Sequence, residues 1–373
     1  MWEFLLRVLF VHTRPYLPQL LGGVETTTFD LSRQLALMGH EAAVICELGK
    51  RDGVWLRNRI ASRLRRRRFP RGSYRGATVY RGYDPARGLP EVIEDFRPDA
   101  LVVQGADAAF AVAAECARTR VPTSFYFHEL VSVRRRSDFT ELDGMPLLAN
   151  SAYTAKVLQG LLGRDAAVVP PLVDAAAYRT ATSRSYVTMI NPRKIKGGEI
   201  ALELARACPD IPFLFLEAWH ADDEFVDQLR TAARGLPNVT WRRATTDMLG
   251  VYAGTRVLLM PSRWEETWGR AATEAQTSGI PVLATDRAAL PESVGPGGIL
   301  VPPDAPIEDW VRALRSLWDD RSLYDTLSAR ALAFAARPDA QPAQRAAAFI
   351  AALSQPVSRH TFQGQSPRAS MRS

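Results

Sequence analysis

The sequence predicts an α/β protein made of two doubly wound domains that face each other across a cleft. Three observations predict it. Apolar runs of four to seven residues alternate with helical patterns, the alternation pauses once near the middle of the chain, and 373 residues with 47% hydrophobic content suffice for two cores. A strand–helix–strand rhythm implies parallel sheets with right-handed crossovers. Such sheets bind ligands at the carboxyl ends of their strands, which predicts a site in the cleft.

The first half of the chain carries the rhythm from its start. Five apolar runs have the length and composition of strands buried on both faces: residues 7–12 (RVLFVH), 41–48, 77–83, 99–105 and 121–128. Between the first two, GGVETTTFDLSRQLALMG (22–39) places Val24, Leu31, Leu35 and Met38 at helical spacing and ends at Gly39. These residues predict the first crossover helix.

The rhythm stops at AAVVPPLVDAAAY (166–178), because paired prolines cannot continue a sheet interior. We predict a domain of residues 1–172, a second of residues 173–353 and a polar, disordered tail over 354–373. The second half repeats the pattern, with strands at 186–192, 211–218, 238–244, 256–262, 280–285 and 297–302 and helices near 307–318, 322–336 and 341–354.

Apolar runs and cysteine placement indicate where the protein resides. The chain has no run of eighteen apolar residues, and its opening is too short and contains an arginine, so neither a spanning helix nor a signal peptide is predicted. Cys46, Cys116 and Cys208 lie far apart in apolar stretches, as reduced core thiols do. We expect a cytoplasmic protein.

Positive charge concentrates in residues 50–75, which we call the basic segment. It carries eleven Lys or Arg and one acid, a local +10 within a net charge of +7. Trp55, Leu56, Ile60, Leu64 and Phe69 accompany these charges. Two interpretations stay open: a solvated basic loop, or a surface that meets a polyanion or an anionic membrane, peripheral at its inner face.

The segment WEETWGRAATEAQTSGIPVLATD (264–286) combines acids with the start of a helix near Gly269. A helix amino terminus has unpaired N–H groups and partial positive charge, so the amides of Gly269, Arg270 and Ala271 suit a phosphate or a sugar hydroxyl. Glu274, further along this helix, can accept two hydrogen bonds from a vicinal diol such as a ribose.

The run from Pro261 to Pro281 resembles the nucleotide-sugar site of the retaining GT-B glycosyltransferases of family GT4. GGVETTTFDLSRQLALMGHEAAVI, VVPPLVDAAAY, KGGEIALELA and LPNVTWRRATTDMLGVYAGTRVLLMPS are similar to other segments of that family, so the resemblance covers about residues 7–335. It implies the GT-B fold, in which an amino-terminal Rossmann-like domain binds the acceptor and a carboxyl-terminal one binds the donor.

The resemblance implies roles for the donor-side residues. Glu274 would bind the ribose hydroxyls. Counting forward from Pro261 places the first acid of the motif at Glu265, whereas counting back from the helix places it at Glu266; we favour Glu266, in contact with the donor sugar. Trp268, with Trp219 and His220, either shapes donor choice or packs in the core.

Lys196 and Arg193 stand where the family holds the donor diphosphate, and two cations there would stabilise the leaving group. The match is imperfect, because members usually carry the arginine five residues before the lysine, where this chain has Asn191. Arg193 must therefore swing in, or Lys194 must replace it.

On the first domain, Gly22 and Gly23 would let the backbone approach the diphosphate and the acceptor. His128, at the end of its strand, matches the family's histidine near the anomeric carbon. Arg134, Arg135 and Arg136 follow it. They either meet a phosphorylated or lipid-phosphate acceptor or face water.

The implied reaction moves a hexose from a UDP- or GDP-linked sugar to an acceptor hydroxyl with retention, by front-face attack. The sequence contains no Asp-x-Asp, so neither a metal nor another cofactor is expected. The alternatives are a nucleotide-sugar epimerase of the same fold and a non-catalytic module that binds a polyanion or membrane through residues 50–75. The expected partners are the donor and a hydroxyl acceptor that is a glycan, a lipid-linked compound or a small molecule. No nucleic acid is expected.

Overall fold

The computed structural model describes residues 5–217 and 224–354, which form two sheets with helices on both faces. The strands are β1 (Arg7–Pro15), β2 (Glu41–Glu47), β3 (Arg71–Tyr74), β4 (Ala77–Gly82), β5 (Ala100–Gln104), β6 (Thr123–Phe127), β7 (Leu147–Ala149), β8 (Ala167–Val168), β9 (Tyr186–Ile190), β10 (Phe213–Leu216), β11 (Val239–Arg242), β12 (Thr255–Met260), β13 (Val282–Thr285) and β14 (Gly298–Val301). The first sheet has the order β3-β4-β2-β1-β5-β6-β7-β8 and the second β11-β10-β9-β12-β13-β14.

The helices follow the strands in the alternation that the sequence predicts. They are α1 (Gly23–Leu37), α2 (Gly53–Arg65), α3 (Pro85–Phe96), α4 (Asp107–Ala117), α5 (Val131–Arg134), α6 (Ala152–Leu162), α7 (Ala175–Tyr178), α8 (Gly198–Ala207), α9 (Glu224–Ala233), α10 (Met248–Gly254), α11 (Arg270–Gln276), α12 (Leu290–Val294), α13 (Ile307–Asp319), α14 (Arg321–Ala336) and α15 (Pro342–Leu353). The predicted fold class, α/β with two doubly wound domains built on parallel sheets, is confirmed, and β3 pairs antiparallel with β4 at the edge of the first sheet.

Each central strand is covered on both faces, which explains its unbroken apolar run. In β1, Leu9 and Val11 pack into one core cluster, whereas Val8 and Phe10 pack into the cluster on the opposite face. Successive side chains of a strand point to opposite faces, so both parities must be apolar here.

The strands β3, β7 and β8 and the helix α2 were not predicted from the sequence. The strands β3, β7 and β8 are short, and β3 is largely exposed, so they lack the apolar run that marks a buried strand. The helix α2 lies in the basic segment. Asp52 caps it by accepting a hydrogen bond from the Trp55 amide at 2.8 Å, and arginine and leucine both favour helices.

The last helix of the described residues returns to the first domain. In α15, Ala346, Phe349, Ala352 and Leu353 belong to a core cluster of the first sheet, and the Phe349 ring stacks on Phe10 at 5.7 Å between centroids. This packing differs from the prediction, which assigned all residues up to 353 to the second domain. An apolar helix face does not reveal which of two neighbouring cores will cover it. The boundary near residue 172 stays a prediction.

The carboxyl ends of both sheets meet at the cleft. The loops after β1 and β6 reach it from the first domain, and the loops after β9 and β12 reach it from the second. In the described part of the chain, no helix is long and apolar enough to cross a membrane. Trp219, His220 and the predicted tail lie outside the described residues, apart from Ser354 at the tail's start.

Candidate functional site

The two domains enclose a cleft of about 790 Å³. Ten predicted site residues line it: Gly22, Gly23, His128, Lys196, Glu266, Trp268, Gly269, Arg270, Ala271 and Glu274. Arg193 and Glu265 are the two predicted residues, both in the described ranges, that are outside its lining. The topology therefore brings segments from four loops and two helices to one opening.

Lys196 is held in place by a tight turn after β9. Gly197 has φ +77°, and a Cβ added there would overlap the backbone oxygen of Pro261, so only glycine fits. The amide of Arg263 donates to the Ile195 carbonyl at 3.0 Å and joins this turn to the loop after β12. The arrangement keeps a lysine beside the loop that carries Glu266.

In the cleft, Lys196 Nζ forms an ion pair with Glu266 Oε1. The same oxygen accepts a hydrogen bond from Ser262 Oγ at 2.9 Å. Lys196 is thus a cation on the cleft wall, already oriented by a carboxylate. A diphosphate entering here would compete with Glu266 for the ammonium group, because both are anions.

The backbone of Arg193 helps to form the turn that carries Lys196. Its carbonyl accepts hydrogen bonds from the amides of Lys196 at 2.9 Å and Gly198 at 3.1 Å and closes the turn. Lys194 is exposed and also lies outside the cleft lining. The predicted second cation of the diphosphate clamp therefore stays a prediction.

The two adjacent acids point to different places. Glu265 forms a bidentate pair with Arg134 of the first domain, at 2.8 and 2.5 Å, and accepts from Tyr153 Oη at 2.7 Å. The hydrogen bonds from Arg134 outweigh burial and hold the pKa of Glu265 below its ordinary value. Glu266 lines the cleft instead, and its assignment as the motif's first acid stays a prediction.

This pair also bears on the arginines that follow His128. Arg134 is occupied by Glu265, and Arg136 pairs with Glu141 and lies over the Phe110 ring at 4.4 Å. These contacts favour a role in joining and packing over one in binding a phosphorylated acceptor.

At the start of α11, Gly269 has φ +85°, and a Cβ there would lie 2.7 Å from Leu290 Cδ2. The first turn of a helix has N–H groups without intrahelical partners, and here that turn lines the cleft. Trp268 is buried, and its Nε1 donates to Thr273 Oγ1 at 2.9 Å. This burial favours the packing interpretation of Trp268.

Glu274 belongs to a buried cluster that joins the domains, here called the Arg270 cluster (Asp30, Tyr178, Tyr252, Arg270 and Glu274). Glu274 accepts from Arg270 Nε at 2.7 Å and from Tyr252 Oη at 2.8 Å. Both carboxylate oxygens keep room for a further hydrogen bond, since each has two acceptor sites. The carboxylate is thereby oriented before any nucleotide arrives.

Arg270 bridges the domains. Its guanidinium pairs with Asp30 of α1, donates to the Leu172 carbonyl at 2.7 Å and lies 3.3 Å from Tyr178 Oη. Burial lowers its pKa, but the carboxylates of Glu274 and Asp30 outweigh burial and raise the pKa above its ordinary value. Sequence reasoning considered only the amide of Arg270, because no local pattern reveals a partner 240 residues away.

On the first domain, His128 is oriented by a polar network that the sequence did not reveal. Its Nε2 donates to Gln104 Oε1 at 2.8 Å, and Gln104 Nε2 in turn donates to His12 Nε2 at 2.9 Å and to Thr28 Oγ1 at 2.7 Å. Burial, with Arg14 nearby, lowers the pKa of His128 to about 3. A neutral ring with Nε2 as donor leaves Nδ1 as an acceptor. Gln104 lies next to the end of the predicted strand 99–105, and this position was the one feature of the sequence that could have pointed to it.

Glu25 is a buried acid at the start of α1 that also lines the cleft. It accepts from Arg14 Nη2 at 3.2 Å, and burial raises its pKa. A Cβ on Gly22 would lie 2.6 Å from Glu25 Oε2, so a side chain at this position would displace the end of the Glu25 side chain. In the sequence, Glu25 directly follows Gly22, Gly23 and Val24, and this position beside the glycine pair could have marked it as a cleft residue. Within residues 5–217 and 224–354 no His, Cys, Asp and Glu groups are arranged to hold a metal.

We predict that His12 makes the protein less stable in mild acid. Burial, followed by the nearby His128 and Arg14, lowers the pKa of His12 to about 3, whereas an unfolded histidine titrates near 6.5. Between these two values the unfolded chain therefore binds more protons than the folded chain, so the free energy of unfolding decreases as the pH is lowered. From pH 7 to 5 we expect a loss of about 2 kcal/mol from His12, measured by urea unfolding. His12→Gln should reduce this dependence, and an unchanged dependence would contradict the prediction.

The fold and the cleft define a class of protein: a two-domain α/β protein whose cleft is lined by Lys196, Glu266 and Glu274 of the second domain and by His128 and Glu25 of the first. Solved structures share this architecture. A glycosyltransferase from Rickettsia africae aligns with a TM-score of 0.72 at 14% identity, covering 94% of this chain and 98% of that one. Anabaena Alr3699/HepE in complex with UDP and glucose aligns with a TM-score of 0.73 at 18% identity, covering 94% and 99%. At such identities these matches show the fold.

Two family models match most of the chain between them. The model described as Glycosyltransferase Family 4 matches residues 21–177, and the model described as Glycosyl transferases group 1 matches residues 218–320. The chain therefore belongs to the group 1, or GT4, glycosyltransferases, a family with the GT-B fold whose members take nucleotide-sugar donors.

Curated relatives match over parts of their length. D-inositol 3-phosphate glycosyltransferase of Paenarthrobacter aurescens is 28% identical over 217 residues, 50% of this chain and 53% of the relative. The enzyme of the same name from Corynebacterium kroppenstedtii is 41% identical over 80 residues, 21% of this chain and 17% of the relative. The sulfoquinovosyl transferase SQD2 of Arabidopsis thaliana is 33% identical over 132 residues, covering 34% and 25%. The matches thus span about half of these relatives or less.

Proposed function

We propose that this protein transfers a hexosyl group from a UDP-linked sugar to an acceptor hydroxyl with retention of configuration. The observation that carries the proposal is the cleft in which Lys196, Glu266 and Glu274 of the second domain face His128 and the Gly22 loop of the first. We propose UDP rather than GDP as the donor nucleotide because HepE, which has the same fold, was solved with UDP and with UDP-glucose.

The residues divide the donor between them. Glu274, held by Arg270 and Tyr252, accepts hydrogen bonds from the ribose diol. Lys196 leaves Glu266 to bind the diphosphate, and the released Glu266 then accepts from hydroxyls of the sugar. The carboxylate of Glu266 pairs with Lys196 only until the diphosphate binds. Diphosphate binding then frees Glu266 for the sugar, and the two binding events are coupled.

The transfer step is a front-face substitution. The acceptor oxygen bonds to the anomeric carbon as the bond from that carbon to the β-phosphate oxygen breaks, and the acceptor proton passes to the departing phosphate. Lys196 and the first-turn amides of α11 stabilise the charge that develops on the phosphate. His128 offers its neutral ring to a hydroxyl of the sugar or acceptor. Proton NMR of the product's anomeric coupling tests retention.

Glu25, a carboxylate that lines the cleft from the first domain, raises the question of a competing route. A double displacement needs a carboxylate nucleophile at the anomeric carbon. Glu25 is engaged by Arg14 and packed against Gly22, so we assign it to acceptor binding. Mass spectrometry of the protein incubated with donor should then detect no glycosyl–enzyme adduct.

A melting-temperature panel tests the donor site. UDP at about one hundred times its dissociation constant should add about 2.7 kcal/mol, or roughly 5–10 °C for a domain of this size, and GDP, ADP, TDP and CDP should add less. Glu274→Gln and Lys196→Ala should lose most of the UDP shift. Glu203→Ala, an exposed acid on α8, is the matched control and should keep it.

Two results would separate the alternatives. A folded sample that no nucleotide stabilises would refute the transferase proposal. Stabilisation by UDP together with conversion of the UDP-sugar to its epimer, without transfer, would assign the site to an epimerase instead. The cytoplasmic location predicted from the sequence stays a prediction.

A further inference from the structure

Helix α2 presents its apolar side chains outward. Leu56, Ile60 and Leu64 are 55%, 50% and 79% exposed and follow one another at intervals of four residues, so they form a stripe on one face. None of the thirteen residues of α2, all of which the structure describes, is buried. A surface helix of a globular protein ordinarily directs such a stripe toward the core.

The outward orientation is enforced by contacts on the opposite side of the helix. Asn58 Nδ2 donates to the Arg81 carbonyl at 3.0 Å, and Trp55 Nε1 donates to Tyr83 Oη at 3.0 Å. Polar groups thus attach α2 to the first domain. The apolar stripe therefore faces solvent while α2 stays attached to the first domain.

Positive charge surrounds the stripe. Arg57 and Arg63 are exposed beside Leu56, Ile60 and Leu64, and Arg65–Arg68 follow at the carboxyl end of the helix. The only acid of the basic segment, Asp52, is used as the helix cap. An apolar stripe flanked by arginines matches the interface of an anionic bilayer, in which acyl chains lie beneath phosphate groups.

Two other occupants fit this surface less well. A nucleic acid would pair with the arginines but gains little from a stripe of leucine and isoleucine, since its exposed backbone is charged. A second copy of the chain related by a two-fold axis would bring two segments of local charge +10 together. The observations favour a bilayer.

The surface adjoins the cleft. Gln19, in the loop between β1 and Gly22, donates to the Lys50 carbonyl at 3.1 Å and to Asp52 Oδ1 at 3.0 Å, and so ties the start of α2 to a loop of the cleft. Arg75, at the end of the basic segment, lines the cleft itself. A protein docked through α2 therefore has its cleft close to the bilayer.

We propose that α2 docks this protein on anionic membranes, with Leu56, Ile60 and Leu64 inserted at the boundary between headgroups and acyl chains and the flanking arginines at the lipid phosphates. The surface goes beyond the proposed transfer reaction. It stands or falls independently of that reaction, because docking requires no donor.

Co-sedimentation of the full chain with vesicles tests the apolar part of the surface. We expect binding to vesicles of phosphatidylcholine with phosphatidylglycerol and little binding to phosphatidylcholine alone. The triple variant Leu56→Ser/Ile60→Ser/Leu64→Ser should reduce the partition coefficient at least about tenfold. Leu37→Ser/Leu161→Ser/Leu332→Ser removes three exposed apolar side chains elsewhere and should bind like wild type. An unchanged melting temperature would show that each variant is folded.

The charged part of the surface is tested separately. Arg57→Ser/Arg63→Ser should lower the partition coefficient by about 30-fold, from about 1 kcal/mol for each arginine near an anionic surface, and added salt should weaken wild-type binding. Equal binding to both vesicle types, or equal losses in the Leu37 control, would overturn the proposal. A dimer in lipid-free solution that only the Leu56 variant abolishes, without vesicle binding, would assign the stripe to a second copy of the chain.

Discussion

Lys196→Ala should reduce kcat by about 10²–10³-fold, since a group that stabilises developing charge on the leaving phosphate contributes on the order of 3–4 kcal/mol to the transition state. The lysine is the one side-chain cation of the turn after β9 that lines the cleft, among the described residues. Its ion pair with Glu266 shows that it points at the space between the domains.

The variant should weaken donor binding and lower kcat as well, because the charge on the diphosphate grows further as the bond to the sugar breaks. Donor turnover at saturating UDP-sugar is the measurement, beside the UDP melting shift for each variant. Lys196→Arg keeps the charge and should recover part of the rate. Arg206→Ala, which removes an exposed cation from the adjacent helix α8, is the control and should retain full activity. A loss below about tenfold for Lys196→Ala would remove this lysine from the mechanism.

Arg270→Met should lower the free energy of unfolding by about 3–5 kcal/mol, as removal of one partner from a buried charge network does. It would leave Asp30 and Glu274 as buried carboxylates without their shared cation. The variant should also lose affinity for UDP, because Glu274 would no longer be oriented by the Arg270 Nε hydrogen bond at 2.7 Å.

Urea unfolding and the UDP melting shift measure the two consequences. Arg315→Met is the matched control: its pair with Asp210, with an Nη1–Oδ2 distance of 2.6 Å, is exposed, so its loss should cost about 1 kcal/mol or less. Adding Asp30→Asn to Arg270→Met should restore part of the stability, because one unpaired buried charge disappears. If Arg270→Met cost no more than the control, the Arg270 cluster would not be a joint between the domains. The single variant Asp30→Asn tests the same joint should Arg270→Met not fold.

Much of the fold could be predicted from local sequence. A strand covered on both faces is apolar at most of its positions, so β1, β5 and β6 were evident from their apolar runs alone. Chain direction and crossover rules then place the carboxyl ends of these strands at the cleft. The short strands β7 and β8 were not predicted, because two or three residues are too few to show a strand periodicity.

The candidate site was only partly predictable. Resemblance to the family singled out Lys196, Glu266 and Glu274, and all three line the cleft. The residues that orient them were not predicted: Gln104 behind His128 and Arg270 behind Glu274 act through contacts with distant parts of the chain. A polar residue at the end of a strand or helix has the same local signature whether or not it has such a partner.

The sequence by itself determined the two parallel sheets, the glycine turns beside Lys196 and Arg270, and the concentration of charge in residues 50–75. These depend on local periodicity, local backbone conformation and composition. Only the tertiary structure decided that α15 packs on the first domain, that Glu265 joins the domains while Glu266 faces the cleft, and that α2 turns its leucines outward. Each of these depends on which distant surface a side chain meets, and burial and charge pairing between distant residues are properties of the folded chain.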